Sequence, residues 1–188
     1  MENDIVIRSA ATSDAQELSK IYKPYVTDTA ITFEYTAPGA DEFAQRIAHT
    51  LEKYPYIVAL QRGEIVGYAY ASEFKSRAAY DWCVETSIYV KQGFHGNGAG
   101  KALYAELESR LKQMGILNAN ACIAYAPTED EYLTNDSEKF HKKLGYSYVG
   151  RFHKCAFKFG RWYDMIWMEK FLGEHAENLS SPTVHVTE

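Results

Sequence analysis

Apolar and polar residues alternate in "DIVIRSA" at the start of the chain, and a period of two predicts a strand. The period then lengthens. In "TSDAQELSKIYKPY" Ala15, Leu18, Ile21, Tyr22 and Tyr25 recur at helical spacing, and Ser13 precedes Gln16 at the spacing of a capping box. "ITFEY" reads as a short extended piece, and "DEFAQRIAHTLEK" as a helix with Phe43, Ile47 and Leu51 on one face. "YIVALQRGEIVGYAYASEF" predicts two strands around the turn Arg62-Gly63-Glu64, and "AYDWCVETSIYV" a third. The helix "GKALYAELESRLKQM" carries the stripe Leu103, Leu107, Leu111 and Met114, and Gly115 ends it. "NANACIAYA" is a further strand and "PTEDEYLTNDS" an acidic loop. "SEKFHKKLG" is a short helix stopped by Gly145. "YSYVGRFHKCAFKFGRWYDMIWMEKFL" predicts two strands that turn near Gly160.

This order describes a mixed α/β (α+β) chain with a mostly antiparallel front half. Neither repeats nor a Pro/Gly/Ser linker interrupts it, so residues 1–173 read as a single domain. The polar tail, 174–188, is expected to carry little structure. The 188 residues suffice for a sizeable core, and 46% hydrophobic with 24% charged residues is the composition of a soluble protein. A net charge of −5 without a Lys/Arg run argues against nucleic acid. No 18-residue apolar span or signal-peptide pattern suggests a membrane or export. Cys83, Cys122 and Cys155 are odd in number and scattered, as free thiols of a reducing cytoplasm are. His49, His153, His175 and His185 lack metal-ligand spacing, so no metal is assigned.

Chemistry concentrates where "SIYV" hands over to "KQGFHGNGAGKALYAELESRL". Glycines at 93, 96, 98 and 100 strip side chains from a strand-to-helix turn, and the helix behind it presents unpaired N–H groups and a positive dipole end. Such a cradle suits phosphate or diphosphate. A Walker loop fails here, because His95 stands five residues before Gly100-Lys101 and Ala102 replaces the magnesium-binding hydroxyl. The dinucleotide pattern fails at Lys101. The diphosphate loop of acetyl-CoA-dependent acetyltransferases, [Gln/Arg]-x-x-Gly-x-[Gly/Ala], matches His95-Gly96-Asn97-Gly98-Ala99-Gly100 at both small positions and departs from it at His95.

With "IRSAATSD", "KSRAAYDWCVETSIYV", "FHKKLGY" and "KFGRWYD" in this order, the chain resembles the GNAT N-acetyltransferases, and among them the phosphinothricin acetyltransferase family, over residues 5–172. The resemblance implies a twisted sheet of six or seven strands, flanked by about four helices and splayed between "ETSIYV" and "NANACIAYA". It implies that acetyl-CoA lies in the splay as a cosubstrate. Ile88, Tyr89 and Val90 would meet its pantetheine arm as an added strand is met. His95, Gly96, Asn97, Gly98, Ala99, Gly100 and Lys101 would hold its diphosphate, and Asn135 or Ser137 would touch the arm. A homodimer is likewise implied by the resemblance alone.

Acetyl transfer to an amine needs a base, oxyanion donors and care of the leaving thiolate. Glu85 is the candidate base, its pKa raised beside Trp82 and Tyr80. Backbone N–H groups near Ile88 are the oxyanion donors. His141, at a place where many GNAT members carry tyrosine, is the candidate for the thiolate, titrating near neutrality. Lys75 and Arg77 are placed to grip an acidic group on the substrate, and Phe33 and Tyr80 to wall the acceptor. The reading is a cytoplasmic N-acetyltransferase for a small primary amine, an amino acid or analogue such as phosphinothricin or methionine sulfone. Two alternatives stay open at this point: an acetyl-CoA sensor without turnover, and transfer to a protein N-terminus or lysine.

Overall fold

The computed structural model describes residues 5–183; His185 and the end of the tail lie outside the described residues. Strands β1 (Ile5–Ser9), β2 (Tyr56–Gln61), β3 (Glu64–Glu73), β4 (Cys83–Val90), β5 (Asn118–Tyr125), β6 (Ser147–Lys158) and β7 (Arg161–Phe171) form a sheet of order β1-β2-β3-β4-β5-β7-β6. Neighbours run antiparallel except β4 and β5. Helices α1 (Ala15–Thr27) and α2 (Ala40–Leu51) cross from β1 to β2; α3 (Ala99–Gln113) joins β4 to β5, and α4 (Asp136–Lys143) precedes β6. Mixed α/β architecture, strand number and helix number all match what the resemblance implies.

The sheet separates two cores. On one face Leu103, Leu107 and Leu111 of α3 bury the predicted stripe against Ile57, Val84, Ala119 and Ile166. On the other, Leu18, Ile21 and Tyr22 of α1 and Phe43 and Ile47 of α2 pack onto Tyr56, Val58 and Tyr68. The hairpin between β2 and β3 closes through Arg62 and Gly63, both at positive φ (53° and 82°), the geometry of the two-residue turn whose twist suits antiparallel strands. Phe159 and Gly160 repeat this between β6 and β7.

Local expectations fail at three places; one is "AYDW", where a 3-10 turn at Ala78–Tyr80 delays the expected strand to Cys83. "ITFEY" forms no strand; Ile31 and Phe33 instead pack into a small cluster with Ala124, Leu133 and Tyr163. The capping box expected from Ser13 and Gln16 gives way to a 3-10 turn at Thr12–Asp14. There Asp14 accepts the Ala11 N–H (2.8 Å) and pairs with Arg8 (2.7 Å). A carboxylate that can serve an N–H and a guanidinium together is the stronger cap. Residues 174–183 form no helix or strand, yet the Thr183 N–H donates to the Met114 carbonyl (2.9 Å) and the Trp82 indole to Ser180 (3.3 Å).

Candidate active site

The parallel ladder between β4 and β5 is short: Cys83 with Asn118, Val84 with Ala119, Glu85 with Asn120. Both strands continue past it without pairing to each other, and β4 keeps β3 as its partner up to Gly67–Val90. The Lys91 N–H donates to the Val66 carbonyl, so bonded and open pairs alternate back from that point. Glu85, Ser87 and Tyr89 therefore turn their backbone groups to β3. Thr86, Ile88 and Val90 turn theirs into the gap, which is lined by Ile88, Ala121, Ile123, Ser137 and His141 among others. Tyr89 is thus no backbone partner for a ligand in the gap; its ring packs edge-on against Tyr22 (4.7 Å) and Tyr25 (5.2 Å). The Val90 carbonyl already accepts the Tyr25 hydroxyl, which also stands 3.1 Å from His95 Nε2.

At the mouth of the gap, Gly93, Gly96 and Gly98 take φ of 82°, 85° and 88°, where a side chain is strained. Gly98 caps α3 and accepts the first helical bond from Ala102 (2.9 Å). The N–H groups of Ala99, Gly100 and Lys101 have no partner within the helix, and the helix dipole adds positive potential. His95, Gly96 and Asn97 complete an exposed turn in front of them. Gly100 has a separate reason to be glycine. A Cβ there would come within 3.1 Å of the Phe140 ring, so its absence lets α4 close on α3. Turn, helix start and open strand edge together fit a diphosphate carrying an amide-rich arm.

Glu85 occupies the last paired position before the strands part. It is half-buried, and burial raises its pKa while Lys75 opposes the rise. The direction is the one the sequence predicts, but Trp82 points its indole N–H to the tail. Lys75 lies over the Phe74 and Trp167 rings (5.1 and 6.0 Å). Arg77 is exposed and makes no ion pair among the described residues, and Tyr80 is 41% exposed and packs edge-on against Phe74. Phe33 stacks on Tyr163 (6.5 Å) beside residues that line the gap.

On α4 the outcomes diverge. Ser137 lines the gap. Asn135 does not reach it: its side chain donates to the Ala126 carbonyl (2.8 Å) and accepts the Ala126 N–H (3.1 Å), pinning the acidic loop to the end of β5. His141 is 3% exposed, and burial pushes its pKa below the ordinary value, which favours the neutral ring. Its Nδ1 donates to the Ser137 carbonyl (2.8 Å), which fixes the tautomer, and Nε2 accepts the Tyr104 hydroxyl (2.6 Å). Thr86 Oγ1 lies 3.2 Å from that hydroxyl. Tyr104, Thr86 and Tyr25 were not singled out from sequence. Their one signal is a polar-tipped ring or a hydroxyl within an otherwise apolar stripe.

A sheet that opens beside a glycine turn and a helix start, with a destabilised carboxylate at the fork, defines an acyltransferase that takes its acyl group from a coenzyme A thioester. The GNAT acetyltransferase domain model matches residues 7–167, and the chain belongs to that family. It is 32% identical to a phosphinothricin N-acetyltransferase of Streptomyces coelicolor, over 89% of this chain and 96% of the relative. It is 28% identical to an L-methionine sulfoximine/L-methionine sulfone acetyltransferase of Salmonella typhimurium, over 92% and 97%. The crystal structure of a GNAT superfamily phosphinothricin acetyltransferase from Sinorhizobium meliloti, in complex with acetyl-CoA, superposes with a TM-score of 0.84 at 36% identity, over 95% of this chain and 93% of that one. The protein is an acetyl-CoA-dependent N-acetyltransferase. Among the described residues no helix is long and apolar enough to cross a membrane.

Proposed function

We propose that the chain acetylates the primary amine of a small amino acid or amino-acid analogue by direct transfer within a ternary complex. The observation that carries this reading is the fork: backbone pairing of β4 with β5 stops at Glu85, the residue whose carboxylate burial makes more basic. Glu85 accepts the ammonium proton, and the freed lone pair attacks the thioester carbonyl. The Ile88 N–H, turned into the gap, is placed for the developing oxyanion. As the C–S bond breaks, the second amine proton leaves with the departing thiolate, and His141 acts as a positioning residue for the Tyr104 hydroxyl at the wall of the gap. Its own Nδ1 proton is committed to Ser137.

Phosphinothricin, methionine sulfoximine and methionine sulfone, named for the relatives, define the acceptor class to try first. The exposed Arg77 and the aromatic-seated Lys75 are the cations for an acidic group on such acceptors. A polypeptide acceptor has less support, because the carboxylates of the acidic loop are already engaged by two cations of this chain. Arg161 pairs with Asp130 and Glu131 (2.9 and 2.8 Å), and Lys139 with Glu129 (3.1 Å). The homodimer implied by resemblance is proposed with this reading, with Phe152, Phe157 and Trp162 offering an exposed apolar surface.

Thiol release from acetyl-CoA, measured against a panel of amines, tests the reading. Glu85→Gln is expected to lower kcat/KM by roughly two to four orders of magnitude, most severely at low pH where the amine holds its proton hardest. A variant as fast as the wild type across the pH range removes Glu85 from the base role.

A further inference from the structure

A second cavity, of about 150 Å³, lies between α2 and the sheet and shares Tyr89 with the lining of the gap. Its walls are the rings of Phe43, Tyr56, Tyr68, Tyr70 and Tyr89, with Arg46 at the rim. Tyr56 stacks on Tyr70 and Tyr68 (centroids 4.8 and 5.8 Å), and Tyr68 leans on Tyr89 (5.4 Å). Arg46 adds no free charge, since Glu34 and Glu42 both hold it (2.8 and 2.5 Å).

Two features ask for a ligand. Tyr56 and Tyr68 are 2% and 1% exposed and both line the cavity; neither hydroxyl is among the described side-chain atoms sealed from solvent without a partner, so each is left to whatever occupies the cavity. Burial pushes both phenols well above their ordinary pKa, so each presents a neutral O–H to the cavity. The cavity also adjoins the fork. Glu85 pairs with Ser72 and Ser87 with Tyr70, so the tyrosine wall begins one step along the same face from the base. Two residues of strand span roughly 7 Å, comparable to the reach from an α-amine to the ring of an aromatic amino acid.

We propose that this cavity receives the acceptor's side chain, and that the side chain is a phenol: the acceptor class is tyrosine and tyramine. The proposal rests on the acetyl-transfer reading with Glu85 as base. Apolar cavities of about 150 Å³ admit a benzene-sized ring, and a phenol hydroxyl can both donate to and accept from the Tyr56 and Tyr68 hydroxyls that line the cavity. The reaction is unchanged: the amine N–C bond forms, the thioester C–S bond breaks, and of the two protons the ammonium loses one goes to Glu85 and one to the departing thiolate.

The test compares kcat/KM for tyrosine, phenylalanine, methionine sulfone and a linear diamine in the wild type and in Tyr56→Phe/Tyr68→Phe, which keeps both rings. The wild type is expected to favour tyrosine over phenylalanine roughly five- to tenfold, the worth of a neutral hydrogen bond or two. The double variant is expected to bring that ratio near one. A wild-type ratio near one, a ratio that survives in the double variant, or a preference for the diamine overturns the proposal. Turnover of methionine sulfone without a tyrosine preference sinks the phenol site alone. If no amine is acetylated, the transfer reading fails, and calorimetry with tyramine in the presence of coenzyme A decides the cavity: uptake lost in the double variant supports it, and no uptake overturns it.

Discussion

Replacing His141 by glutamine isolates the energetics of one buried ring. The folded protein holds this imidazole neutral: Nδ1 gives its hydrogen to Ser137 and Nε2 receives one from Tyr104, and burial disfavours the charge that a second proton would bring. Burial lowers the folded pKa below 6.5, while the unfolded chain titrates near the ordinary value. Below that pH the unfolded state binds a proton that the folded state refuses. The contribution to stability is therefore complete above about 6.5 and declines as pH falls toward the folded pKa. The slope in that window reaches about 1.4 kcal/mol per pH unit, or roughly 3–6 °C in Tm for a chain of this size. Glu85 works in the opposite sense. Its folded pKa is raised, so protonation on acidification favours the folded state and offsets part of the decline.

The informative quantity is thus a difference. His141→Gln keeps an acceptor for Tyr104 and cannot titrate, while Glu85 and the exposed histidines remain in both proteins. Urea unfolding is followed from about pH 8 to about pH 5.5, and the wild-type stability minus the variant's is plotted. That difference is expected to shrink as pH drops through 6.5, the ordinary histidine value. A flat plot refutes the neutral, tautomer-locked ring, and with it the role of His141 in positioning Tyr104.

The other predictions concern the loops. Gly98→Val places a β-branched residue at φ 88° just ahead of α3. Calorimetry should show coenzyme A binding weakened about tenfold, as strain of about 1–2 kcal/mol disorders the turn; unchanged affinity would mean the turn does not hold the diphosphate. Asn135→Ala removes both bonds to Ala126. It should cost about 1–3 kcal/mol and speed amide exchange across residues 127–134, yet leave coenzyme A affinity within about twofold. A large affinity loss with normal stability would return Asn135 to the ligand.

Element existence was legible because periods are local: the α3 stripe, the alternation of β1 and the Arg62-Gly63 turn each declare themselves within a few residues. Roles that depend on distant partners were not. Asn135 stands before α4, where a contact with the arm was expected, but its partner lies nine residues back, reached only because the acidic loop folds onto β5. Gly100 looks like one more phosphate glycine, but Phe140, forty residues on, decides its size. Tyr104 is hidden within a leucine stripe and shows its purpose only when His141 arrives opposite it.

The fork itself shows why such roles cluster where they do. Where β4 and β5 stop pairing, the backbone groups of the last rung would face an opening, and buried polar groups need partners. Side chains supply them: Thr86 Oγ1 donates to the Asn120 carbonyl (3.1 Å), and Asn120 Nδ2 donates to the Val84 carbonyl (3.0 Å). Tyr104 and His141 then fill the space behind Thr86, each satisfying the other. The same polar wedge that lets the sheet open without orphaned groups also leaves β4 with a free edge and Glu85 at its root. In this chain the structural solution for ending a ladder and the chemical requirement for a cosubstrate edge are met by one set of residues. Substitutions at Thr86 or Asn120 should therefore lower stability and turnover together, whereas replacing Glu85, which bonds none of the wedge and whose charge burial disfavours, should lower turnover without lowering stability.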